Sequence, residues 1–195
     1  MQDMTPGDNY LKSVIKLFHY YKILGEKAIE QLEREQIFES ADPEKVNSIA
    51  VIIGHLHGNM LSRWTDFLES DGEKVWRNRD LEFEAQTSEY DLVMQQWEAG
   101  WKCLFEALSS LKSEQLTDII YIRNEGHTVL EAINRQLAHY PMHVGQIIFY
   151  AKQLKKGEWN SLSIPKGKSD RYNEGKFVKE KTISHFTDDE LNRLK

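Results

Sequence analysis

The chain has 195 residues, with 25 Lys+Arg against 31 Asp+Glu and a formal net charge of −6. That length is one domain's worth, enough to bury a core without disulfide staples, and the acidic balance argues against a duplex nucleic-acid binder, which carries a basic surplus. Glycine (11) and proline (4) are scarce while 29% of residues are charged, a balance that favours long helices over a turn-rich sheet.

The single cysteine, Cys103, excludes an internal disulfide framework and suits a reducing cytoplasm. The first residues contain neither a basic nor an apolar run, so no secretory signal is expected. The longest uncharged stretches, residues 46–62 and 136–151, are shorter than the ~20 apolar residues of a membrane span. The expectation is a soluble, cytoplasmic protein with no membrane partner.

In chain order, the first helix is predicted from Asp8 as N-cap to about Glu39, with Leu11, Val14, Ile15, Phe18, Tyr21, Gly25, Ala28 and Leu32 on its stripe. The second opens at Asp42-Pro43, an acidic cap followed by proline at the first helical position, and runs to about Ser70. A charged loop, residues 71–86, leads to a third helix starting at Ser88 with Asp91 as its capping-box partner. Ile119-Ile120-Tyr121-Ile122, closed by Asn124-Glu125-Gly126, predicts extended chain or a small hairpin arm. The fourth helix begins at Thr128 with Glu131 in a capping box and ends at Lys155-Lys156-Gly157. These elements imply an all-α four-helix bundle over residues 1–156. Residues 157–195 read as an irregular tail packed on the bundle, with a short final helix capped around Thr187.

Four of the seven histidines fall in the two uncharged stretches: His55 and His57, then His139 and His143. Uncharged runs in so charged a chain mark buried helices, and a buried imidazole needs a partner. His139 and His143 are four apart on one helical face, close enough for their rings to converge on one ion. With seven histidines, a pair at this spacing arises readily by chance. The third histidine on a second uncharged helix raises its weight against ordinary core packing. His55 and His57 lie roughly 200° apart around their helix, so only one can join. Periodicity favours His57, which lies on the stripe of Val46, Ile49, Ile53, Leu56 and Met60. A site at the edge of the core would instead suit His55.

Gly54-His55-Leu56 with Asn59-Met60, and His139-x-x-x-His143 running into Gly145-Gln146, resembles the DinB-like superfamily of metal-binding four-helix bundles. The resemblance covers nearly the whole bundle, including the extended arm before the last helix. Residues 62–77 and the tail motif Leu162-Ser163-Ile164-Pro165 look most like an uncharacterised bacterial branch of it. The resemblance implies His55, His139 and His143 as ligands of one divalent ion, zinc or nickel, with His57 as competitor. Pro141 departs from the pattern: it removes a helical hydrogen bond and clashes with the Leu137 carbonyl, altering how the paired imidazoles aim. His57, where a small or polar residue is expected, is a second departure.

Three neutral imidazoles leave an ion its full charge and an open position. Characterised relatives in that superfamily include bacillithiol-S-transferases and a mycothiol-dependent maleylpyruvate isomerase. The resemblance therefore implies a metal-dependent thiol transferase that uses a low-molecular-weight thiol on a small electrophile, and a homodimer. Asn59 and Gln146 are placed to orient imidazoles, and Lys74, Arg77 and Arg79 around Trp76 form a cationic patch suited to a carboxylate. Cys103 reads as a small core residue rather than a nucleophile. The competing reading is a non-catalytic dimerisation or ligand-sensing module, suggested by 5 Trp, 8 Tyr and 8 Phe.

Overall fold

The computed structural model describes residues 4–84 and 86–194. The described chain is mostly helical, with six helices and one small two-stranded sheet.

Helix α1, Pro6–Ile29, is capped by Thr5, with Asp8 as the reciprocal partner of a capping box. Asp8 is thus not the cap. Both residues are good cap formers, and proline at the first helical position decides for Thr5. The helix stops ten residues before Glu39. The chain then turns through Arg34–Phe38, where buried Gln36 donates through Nε2 to the Leu154 carbonyl at 2.7 Å. A tertiary bond and the burial of Ile37 outweigh continuation of the helix.

Helix α2, Ile49–Trp64, starts after Ser48, whose Oγ accepts from Val51 N. Asp42-Pro43 forms a separate turn upstream, in which Asp42 accepts from Lys45 N and Val46 N. The helix ends before Ser70 because Asp66 adopts a left-handed φ of 46°. Helix α3, Tyr90–Ser110, follows Glu89 without a side-chain cap, so the predicted Ser88 box does not form. The trigger there is burial of Val93, Trp97, Trp101, Leu104 and Leu108 rather than capping.

Strands β1 (Ile119–Ile122) and β2 (Glu125–Thr128) pair antiparallel, closed by Arg123 and Asn124. Both turn residues have positive φ, as a two-residue primed turn requires. Asp71 accepts from both of their backbone N–H groups at 2.8 Å, which offsets that strain and ties the hairpin to the segment after α2.

Helix α4, Val129–Leu154, carries the Thr128/Glu131 capping box as read from the sequence. It runs unbroken through Pro141. Past its end Gly157 turns the chain at φ 98°, a conformation that favours glycine. The tail adds α5, Ser169–Phe177, which has no amphipathic signal in the sequence, and the expected terminal helix α6, Phe186–Leu194. Helix α6 packs on α1, with Lys16 and Asp188 ion-paired at 2.6 Å.

The four long helices share one core, with α1 against α4 and α2 against α3. Trp97, Trp101, Tyr140 and Phe18 are its largest fully buried side chains. Trp97 and Trp101 meet edge to face at 5.4 Å, and Trp101 meets Tyr140 at 6.1 Å. Trp64 Nε1 donates to Tyr140 Oη at 3.0 Å, and Tyr140 in turn donates to Asn59 Oδ1 at 3.1 Å. This polar chain crosses the core from α2 to α4 and ends beneath the site described next.

Candidate metal centre

Helix α2 is buried on nearly every side. Its stripe packs into the core, and the opposite side is covered by the turn Asp80–Phe83. His55 is therefore only 4% exposed although it lies off the apolar stripe. The wheel argument for His57 assumes one covered face; α2 has two. His57 instead lies between α2 and α3, half-buried beside Gln86, Thr87 and Leu92.

The rings of His55, His139 and His143 meet where α2 and α4 face each other, and one nitrogen from each lies within 4.8 Å of the other two. Nε2 of His139 is 3.0 Å from Nε2 of His143 and 3.4 Å from Nε2 of His55. Each ring turns its other nitrogen to an oxygen acceptor. His55 Nδ1 is 2.9 Å from Glu82 Oε2, His139 Nδ1 is 3.3 Å from Gln136 Oε1, and His143 Nδ1 is 2.8 Å from Gln146 Oε1. An oxygen acceptor draws the ring proton to Nδ1 and leaves a lone pair on Nε2. Three lone pairs then face one another, an arrangement that repels unless something positive sits among them. A tetrahedral ion about 2.0–2.1 Å from each nitrogen sets its ligands about 3.3–3.4 Å apart, close to the two measured separations. The donor set and its spacing fit a divalent metal.

Electrostatics agree. Burial, then the neighbouring His143 and His55, lower the His139 imidazole to about 3 from its ordinary 6.5. Burial also lowers His143, outweighing the bond it donates to Gln146 Oε1, which acts the other way. Both rings are neutral at pH 7, as metal ligands must be. Burial alone would raise the Glu82 carboxyl, but hydrogen bonds from Arg77 and His55 outweigh it and hold it below the ordinary carboxylate value. Glu82 is therefore an anion bridging two donors: Arg77 binds it through Nε at 2.7 Å and Nη2 at 2.8 Å, opposite His55. This carboxylate approaches α2 over Gly58, where a Cβ would lie 2.7 Å from Glu82 Cδ.

Glu82 is the residue that sequence reasoning missed. It sits in an aperiodic charged loop, 27 positions from His55, with no local signal of the pairing. Of the two expected orienting amides, Gln146 holds His143, whereas Asn59 serves Tyr140 and Glu82 takes its expected place at His55; Gln136 holds His139. The Lys74/Arg77/Arg79 patch divides: Lys74 turns to Ser70 and the Asp71 carbonyl, Arg77 is committed to Glu82, and Arg79 faces the cavity. Cys103 is half-buried, and burial pushes its thiol up, away from nucleophilic character. Pro141 leaves the paired rings aimed at one point.

The three histidines open onto a cavity of about 480 Å³, within the size range of small-molecule sites. Neither the curated proteins nor the solved structures provide a match. A family described as "Protein of unknown function (DUF1572)" matches residues 5–168, a span that takes in all three histidines, Glu82 and the cavity wall, and the chain belongs to that family.

Proposed function

We propose that the protein binds one divalent metal ion, zinc or nickel, through Nε2 of His55, His139 and His143, and that it is a metal-dependent enzyme of the thiol-transferase type. The observation that carries this reading is the facing of three Nε2 lone pairs near tetrahedral spacing, with every Nδ1 engaged by an acceptor. Bound there, the ion would lower the pKa of a thiol or water at its open corner and supply a nucleophile near neutral pH. The chain's residues do the positioning. Glu82, anchored by Arg77, holds the His55 proton on Nδ1; Gln136 and Gln146 do the same for the pair on α4. The cavity walls set the size of the molecule that reaches the open corner.

In this reading the four long helices are a bundle of the DinB type. A homodimer is supported by an exposed apolar face on α4, where Met142 and Phe149 lie seven residues apart beside Ala138 and Gly145.

Metal analysis of protein purified without chelator tests the proposal. It should find about one divalent ion per chain, lost in His139→Ala with the helical spectrum intact and retained in His57→Ala. Thermal shift against a panel of low-molecular-weight thiols should then show stabilisation only in metal-loaded protein. Wild type that neither carries nor takes up zinc or nickel removes the proposal. Sedimentation, compared with Phe149→Glu, tests the dimer.

A further inference from the structure

The protein is acidic overall, yet the cavity beside the histidines is lined by Arg63, Arg77, Arg79, Arg123 and Arg135 and, among the described residues, by no carboxylate. These arginines come from separate parts of the fold: α2, the segment after it, the hairpin turn and α4. Two acids stand behind them. Glu73 accepts from Arg63, Arg77 and Arg123, and Glu82 accepts from Arg77. Five guanidinium charges against two carboxylates leave a surplus of three, before any cation at the histidines.

Two of the five are uncommitted. Arg79 and Arg135 form no ion pair with any described residue. The Arg79 guanidinium carbon lies 5.0 Å from the centroid of Phe83, whose ring also stacks on His55 at 4.8 Å. Stacking on a ring face leaves the N–H edge of a guanidinium free to bind an oxyanion. Arg63 also lines the cavity, with Nη1 and Nη2 both 3.1 Å from Glu73 Oε2.

We infer that the cavity binds a small molecule carrying at least two acidic groups, carboxylate or phosphate. Arg79 and Arg135 are its main charged contacts. The inference deepens the metal-site reading by naming the substrate class of that same cavity, but the arginines need no ion to act. Guanidinium forks match the two oxygens of a carboxylate or phosphate. A neutral molecule of the same shape would leave the surplus charge uncompensated.

Calorimetric titration of the full chain with succinate, inorganic phosphate and neutral succinamide tests this, using metal-loaded wild type, His139→Ala and Arg79→Gln/Arg135→Gln. Succinate, phosphate or both should bind wild type; succinamide should not. Binding should weaken at least tenfold in the double arginine variant, while its metal content stays that of wild type. His139→Ala, or His143→Ala if the first fails to fold, should keep anion affinity within about threefold. A preference for succinate assigns a carboxylate ligand, and a preference for phosphate assigns a phosphate ester. The inference is overturned if neither anion binds, or if succinamide binds as well as succinate. It is also overturned if affinity vanishes in His139→Ala but survives loss of the two arginines, since the ion alone would then hold the anion. Anion binding by a wild type that takes up no metal would sink the metal reading and leave this one standing.

Discussion

Replacing Glu82 by glutamine keeps the side chain's shape and removes its charge. The carboxylate accepts three hydrogen bonds, from Arg77 Nε and Nη2 at 2.7 and 2.8 Å and from His55 Nδ1 at 2.9 Å. A glutamine has one acceptor oxygen and one donor nitrogen, so its NH₂ must face either Arg77 or His55. If it faces His55, the ring proton moves to Nε2 and blocks the lone pair. If it faces Arg77 Nε, a guanidinium only 2% exposed loses half of its fork and keeps the Nη2 bond and the longer contact to Glu73 at 3.4 Å. Loss of such a histidine-orienting partner weakens metal binding by about 10- to 100-fold, which is about 1.4–2.7 kcal/mol. Competition for zinc against a chromophoric chelator measures this directly, with circular dichroism reporting that the helices remain. Nitrogen NMR of the His55 ring should show its proton leaving Nδ1 in a fraction of molecules. Zinc affinity within twofold of wild type, in a folded Glu82→Gln protein, would refute the argument that this carboxylate orients the ligand.

Tyr140→Phe removes the acceptor of the Trp64 N–H and the donor to Asn59. Leaving these buried groups unpaired should lower urea-derived stability by about 1–3 kcal/mol, and an unchanged midpoint would mean the chain across the core carries no weight. Gly58→Ala would ordinarily favour a helix by nearly 1 kcal/mol. Here the new methyl meets the Glu82 carboxylate, so both melting temperature and zinc affinity should fall; a higher melting temperature would contradict that close approach. Asp71 offers a pH test. Partial burial would raise its carboxyl, but the backbone N–H groups of Asn124, Glu73 and Arg123 outweigh it and hold it below its ordinary value. A group depressed in the folded state contributes stability above its unfolded pKa of about 3.9, and the contribution is lost as pH falls through the lower folded value. Asp71→Asn should therefore be less stable than wild type at pH 7, and the gap between their urea midpoints should close toward pH 3. A gap that stays constant with pH would show that the charge plays no part in seating the hairpin.

The helical class, the hairpin arm, the Thr128/Glu131 cap and the shared face of His139 and His143 were all legible in the sequence, because each depends on spacings of two to four residues along one backbone. Helix ends were less legible. Thr5 and Asp8 satisfy the same local rule, and Gln36 abandons helical continuation for a carbonyl 118 residues away. Which histidine of α2 meets the pair on α4 could not be settled by periodicity. The turn that buries His55 from its second side belongs to a loop whose own sequence has no period. Glu82 and the convergence of five arginines are likewise properties of folded space, where groups far apart in the chain share one charged wall. Local backbone geometry decides which side chains share a face. Only the closing of the chain upon itself decides which faces meet and what field they make together.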